Sequence, residues 1–235
     1  MTEGSSAIEV LLEVMRQRKN TRRFKPDPVP DEYIETIIEA GRLAPSGANS
    51  QPWEFIVVRD PERKRQMAEI MIEAIKKGTQ IDPKFPQGTD AMMRHKVADA
   101  PVLLAVCADT RFTAAYPGYS FPESILYVSI GCTMEHIHLA ATALGLAICW
   151  GTTNQFSLGP IGEVLGVQPP LVVKEVFSIG FPMAMPPAKH RRDVREVTHY
   201  ERLDVSKVRT DEDIAEMLAS RRVVDVYSGR LGTGE

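Results

Sequence analysis

No run in this 235-residue sequence is both long and apolar enough to cross a bilayer. The longest candidate, residues 139–150, is broken by Thr142 and Gly145 and falls short of the roughly 20 apolar residues a span requires. Residues 1–6 are polar and hold no apolar segment of a secretory signal, so a cytoplasmic protein is expected. Cysteine is scarce: Cys107, Cys132 and Cys149 form no C-x-x-C pair, and each sits in an apolar run, which favours buried free thiols over disulfide or metal roles. Neither sign of charge dominates. A net charge of −3, with 25% charged and 43% hydrophobic residues, argues against disorder and against a nucleic-acid partner.

Several chemistries are excluded by missing motifs. The chain has no G-x-S-x-G elbow, no G-x-x-x-x-G-K-[ST] phosphate loop, no G-x-G-x-x-G dinucleotide fingerprint and no H-E-x-x-H metal helix. His136 and His138 are two positions apart on a predicted helix and cannot share a face, so no metal site is expected.

What the chain does have is length enough for one sizeable core, and a single domain is expected. Val10, Leu11, Val14 and Met15 form one stripe of a helix over residues 7–17, and Ile34, Ile37 and Ile38 repeat the pattern over 31–43. A strand at 55–58 ends at Asp60-Pro61, an N-cap followed by proline at the first helical position, and helical spacing continues through Met67, Ile70, Met71 and Ala74. Residues 78–90 and 116–122, rich in proline and glycine, read as loops. Strands are expected at 101–108, 146–150 and 172–180, and helices at 123–144 and 158–165, the first of them apolar on nearly every face. The polar segment 198–213 reads as an arm, followed by a last short helix signalled by Thr210 and Asp213.

The basic residues are clustered locally, which favours a small anionic ligand. Arg18, Lys19, Arg22 and Arg23 precede the turn Pro45-Ser46-Gly47-Ala48-Asn49, and a second knot, Lys189-His190-Arg191-Arg192, lies far downstream. Fixed guanidinium groups suit a phosphate dianion, and the turn offers backbone N–H groups and short polar side chains to a planar heterocycle. These motifs, with the Gly151-Thr152-Thr153-Asn154 segment and the central apolar helix, occur in the order found in the nitroreductase family of FMN-dependent oxidoreductases, which the chain resembles from Ile8 to Arg195.

The resemblance implies an α+β nitroreductase fold, a central antiparallel-rich sheet flanked by helices, in an intertwined homodimer. Its core would span about 8–195, with 196–235 as a C-terminal extension wrapping the partner subunit. It further implies that Arg18, Lys19 and Asn20 contact the phosphate and ribityl chain, Arg22 the pyrimidine edge, and Lys189 and Arg191 the phosphate. Pro45, Ser46, Gly47 and Asn49 would line the flavin or the substrate space. Thr152, Thr153 and Asn154 would lie against the isoalloxazine edge near N5, and Lys96 near N1 and the C2 carbonyl. The implied activity is ping-pong transfer of hydride from NADH or NADPH through FMN to an electron-poor acceptor such as a nitroaromatic or quinone, with no side chain nominated as an obligatory acid or base. A reductive dehalogenase resembling iodotyrosine deiodinase is the alternative, although residues 75–90 lack the tyrosine of that branch's lid; synthesis of the lower ligand of cobalamin and a non-catalytic flavin-storage module follow.

Overall fold

Strand β2 (Val102–Asp109) is buried along its whole length because both faces of the sheet are covered. Val102, Leu104, Val106 and Ala108 face one apolar cluster, while Leu103, Ala105 and Cys107 face the other, the period-2 alternation of a central strand. The computed structural model describes residues 6–82, 90–151, 153–187 and 190–220. The chain divides after Pro186 into two units, each taken by itself.

The first unit opens with α1 (Ala7–Gln17), started by a capping box in which Ser6 and Glu9 satisfy each other's backbone N–H groups. Next come α2 (Asp31–Arg42), β1 (Trp53–Val58) and α3 (Pro61–Ile81), whose N-cap Asp60 accepts from Arg63 N at 2.8 Å. α4 (Asp90–Met93) runs into a π-helical turn (Arg94–Ala98) before β2. Then follow α5 (Pro122–Ala143), β3 (Ala147–Trp150), α6 (Gln155–Leu165) and β4 (Leu171–Gly180). The strands pair in the order β1-β2-β4-β3, every neighbour antiparallel. This is the expected α+β fold.

Helices α2 and α5 cover one face, α3, α6 and the π-helical turn the other. α2 approaches α5 closely at Gly41, where a Cβ would come within 2.9 Å of both Ile137 Cγ1 and Thr133 Oγ1. The Thr133 hydroxyl uses that proximity to donate to Gly41 O at 2.7 Å. Helix α5 buries Leu126, Ile130, Met134, Ile137 and Ala141 but leaves Tyr127 and Val128 exposed, so only one of its apolar sides is used inside this chain. No described helix is long and apolar enough to cross a membrane.

The boundaries differ from expectation in instructive places. Residues 78–81 belong to α3 rather than to a loop: Gly78 is buried, and the Thr79 hydroxyl bonds to Ile75 O at 3.0 Å. Residues 83–89 of that expected loop lie outside the described residues. Helix α6 begins three residues early, at Gln155, because Asn154 caps it by accepting from Phe156 N at 2.9 Å. Cys107 and Cys149 are buried free thiols, burial pushing Cys107 up to about 11, but Cys132 is only half-buried.

The second unit carries two short 3₁₀ turns (Val194–Glu196 and Val205–Lys207) and α7 (Asp211–Ser220). Arg192 bridges the turns, donating to Glu196 O at 2.7 Å and Lys207 O at 3.4 Å. Val194, Val197, Tyr200, Leu203, Val205 and Leu218 are all exposed. None of the described residues of this unit is buried.

Candidate functional site

The basic segment after α1 is held as a short extra strand on the β3 edge. Asn20 pairs with Ile148 in a parallel bridge, and Thr21 N donates to Ile148 O at 3.2 Å. The Asn20 side chain doubles this attachment: its Nδ2 donates to Trp150 O at 2.9 Å, and its Oδ1 accepts from Trp150 N at 2.6 Å. Arg18, Lys19 and Arg22 are half-buried along this edge, whereas Arg23 is exposed. Arg18 lies 3.7 Å from Glu135 of α5, and Lys19 donates to Arg16 O at 3.0 Å.

The turn expected to meet a heterocycle is backbone-strained. Ala48, Asn49 and Gln51 have φ of 50°, 52° and 46°, the left-handed region that non-glycine residues rarely enter. Ser46 Oγ stabilises it by accepting from Gln51 N at 2.9 Å, and Gly47 N donates to Ser129 Oγ of α5 at 3.1 Å. A Cβ on Gly47 would fall on the Tyr116 hydroxyl and on Ile125 Cγ2, so only glycine lets this loop seat against α5. Pro45 and Asn49 remain exposed. Strain of this kind concentrates at ligand sites.

Lys96 lies inside the π-helical turn and is 8% exposed. Its amine makes no hydrogen bond or ion pair with any described residue, yet a Cβ built on Gly151 would land on that amine and lie 2.7 Å from its Cε. A single-turn π-helix is a frequent mark of a functional position.

Past Gly151, the chain is fixed by a residue that nothing in the sequence marks. Glu175 of β4, 4% exposed, accepts from Trp150 Nε1 at 2.7 Å and from Thr153 N at 2.9 Å. It also accepts from the Thr153 hydroxyl and from Val176 N, the latter at 2.9 Å. Both donors of Thr153 are therefore committed to Glu175, and the Asn154 carboxamide oxygen to the start of α6.

His138 of α5 lies beneath Trp150 and Phe177, ring centroids 5.7 and 5.0 Å away in edge-on geometry. It is buried, its Nε2 has no hydrogen-bond partner among the described residues, and burial, followed by the nearby Arg18 charge, pulls its pKa down to about 4.

The structure thus brings Arg18, Lys19, Asn20, Arg22, Lys96, Thr153 and Asn154 around the end of β3. It ties Gly47 to the same helix, α5, that carries Glu135 and His138. Ser129 and His138 are nine residues, about 14 Å, apart on that helix. Thr152 and Lys189 lie outside the described residues, and Arg191 is in the second unit, exposed, donating to His190 O at 3.2 Å.

Residues 15–181 match the profile described as the Nitroreductase family. An Archaeoglobus fulgidus protein, provisionally named an NADH dehydrogenase/NAD(P)H nitroreductase, is 30% identical over 177 residues, covering 74% of this chain and 87% of its own. Pig iodotyrosine deiodinase 1 is 31% identical over 159 residues, 63% of this chain and 52% of that protein. In fold, the chain resembles the NADPH:FMN oxidoreductase of Vibrio harveyi complexed with NAD+, with a TM-score of 0.65 at 21% identity, covering 92% and 94% of the two chains.

Proposed function

The chain belongs to the nitroreductase family, and from that premise we propose that it is an FMN-dependent oxidoreductase that uses NADH or NADPH to reduce an electron-poor acceptor such as a nitroaromatic or quinone. The observation that carries this reading is the Lys96 side chain, 8% exposed, with its amine against Gly151 and no bond to any described residue. An ammonium so placed suits a ligand that brings negative charge, and the strained turn at Ala48 and Asn49 lies where such a ligand's ring would be met.

FMN, when bound, would supply two-electron chemistry between the nicotinamide and the acceptor, in ping-pong order. Arg18, Lys19 and Arg22 would hold its phosphate and polar edge by charge-assisted bonds. Ser46, Gly47 and Asn49 orient the ring, with Pro45 shaping the turn. Lys96 stabilises negative charge beside Gly151. Thr152, Thr153 and Asn154 border the reacting edge.

The test is to record the visible spectrum of the purified protein, reduce it anaerobically with NADH or NADPH, and offer nitroarenes, quinones or halotyrosines. Bleaching by nucleotide and recovery with a nitroarene or quinone is expected. A flavin that neither nucleotide reduces would replace the enzyme with a storage protein. Selective recovery with halotyrosine would promote the dehalogenase reading, which the likeness to the pig deiodinase favours.

The protein acts as a homodimer. Ile8, Leu11, Leu12 and Met15 of α1 are exposed although they form an apolar stripe, and Tyr127 and Val128 of α5 are likewise uncovered. The extension after Arg195 wraps the partner subunit, covering the apolar side chains of the second unit. Light scattering should give twice the 26.1 kDa chain mass; a monomer at micromolar concentration would remove this assembly.

A further inference from the structure

We propose that Glu175 is a positioning residue that pins the chain on either side of position 152 and, through its buried negative charge, sets the reduction potential of the flavin facing Gly151. The proposal rests on the FMN reading above.

Three observations converge on Glu175. The first is the way it is turned inward. Val106 of β2 pairs with Glu175, but Cys107 pairs with Val173, so Lys174 is an extra residue in the ladder. The bulge sends Lys174 outward, its amine 4.6 Å from the Tyr127 ring centroid, and leaves Glu175 buried.

The second is the donor set. The Trp150 indole, the Thr153 amide and hydroxyl, and the Val176 amide all point hydrogens at the two carboxylate oxygens. The Thr153 hydroxyl is free to donate because it accepts from Val176 N at 3.2 Å. A carboxylate that only accepts, from four donors, matches its ionised form. It joins β3, β4 and the entry to α6 at one point, so Gly151 is held against Lys96 from behind.

The third is the balance of charge. The Lys96 amine lies against Gly151, and Glu175 is bonded to Trp150 and Thr153 on either side of it, so a cation and an anion flank the end of β3. Lys96 favours added electron density on a ligand beside Gly151, and Glu175 opposes it. In a low-dielectric setting an opposing charge of this kind is weakly screened. Glu175 thus keeps the flavin a stronger reductant than Lys96 alone would allow.

Glu175→Gln keeps the reach and removes the charge, whereas Glu175→Asp keeps the charge and shortens the reach. In the flavin-free protein, hydrogen exchange at the Thr153 amide and the Trp150 indole should quicken at least tenfold in the Asp variant; unchanged exchange would overturn the pinning. In the FMN-loaded protein, the Gln variant should bind reduced over oxidised FMN about tenfold better than wild type does, a rise of about 30 mV for a two-electron couple. The Asp variant should stay near the wild-type potential. Reduction by the nicotinamide should speed up and reoxidation by the acceptor slow down, a split that simple structural damage would not produce. Should the Gln variant not fold, Glu175→Met tests the same shift. An unshifted potential in a charge-removing variant that folds and binds FMN would overturn the electrostatic role while leaving the FMN reading intact. Wild-type protein that binds no FMN would sink the FMN reading and the potential-setting role with it, and the exchange experiment would still decide the pinning.

Discussion

Replacing Arg18 and Arg22 together by alanine is expected to weaken FMN binding by about two to four powers of ten while leaving the chain folded. A hydrogen bond to a charged group contributes about 1.5–3 kcal/mol, so losing two removes about 3–6 kcal/mol, and about 1.4 kcal/mol is tenfold in affinity. The cost to folding is small by comparison. Arg18 pairs with the half-exposed Glu135 at 3.7 Å, and such pairs contribute about 0–1 kcal/mol. The segment is fastened instead by the Asn20 side chain and the Thr21 amide, which the double variant keeps. Exposed Arg23 supplies the control, since its alanine variant removes a charge from the same segment without emptying the half-buried edge. Fluorescence titration of flavin-free protein with FMN measures the loss. A double variant with wild-type affinity and an intact thermal transition would remove the FMN-holding role from these residues.

The basic segment could be located in the sequence because charge clustering needs no tertiary information, but which arginines turn inward could not. That depends on the Asn20–Trp150 exchange, a contact between residues 130 positions apart. The apolar stripe of α2 and one side of α5 found their partners inside the chain, whereas α1 buries none of its residues and half-buries only Val10 and Val14 of its stripe; periodicity identifies an apolar face and says nothing of what covers it. Gly78 misled as a loop signal because its burial on α3 outweighs its weak helix propensity. Lys96 could be flagged from the resemblance, but only the π-helical turn shows that it faces inward. Glu175 was invisible for a different reason. In the run Val172-Val173-Lys174-Glu175-Val176-Phe177, plain alternation cannot show which polar residue is buried, and the bulge that decides it is a property of the β2–β4 pairing.

His138 is expected to withdraw about 3 kcal/mol of stability as the pH falls from 6.5 to 4. Its pKa in the folded protein is about 4, against an ordinary 6.5, with burial the larger cause and Arg18 the smaller. Between those values the unfolded chain takes up a proton that the folded protein refuses, so acid favours unfolding; below about 4 both forms are protonated and the loss levels off. The gap of about 2.5 units, at about 1.4 kcal/mol each, gives the magnitude. His138→Phe isolates the effect. Phenylalanine retains an aromatic edge toward Trp150 and Phe177 and removes an imidazole nitrogen that has no partner, so at pH 7 the variant should be at least as stable. Urea unfolding at pH 7 and at pH 4.5 should then show a smaller loss in the variant than in wild type, by about 2–3 kcal/mol. Arg18→Ala sharpens the test, because without that neighbouring charge the folded imidazole protonates more readily and the acid loss shrinks. If the phenylalanine variant loses as much stability on acidification as wild type, the acid sensitivity belongs to the carboxylates, and His138 is already protonated or solvated in the folded protein.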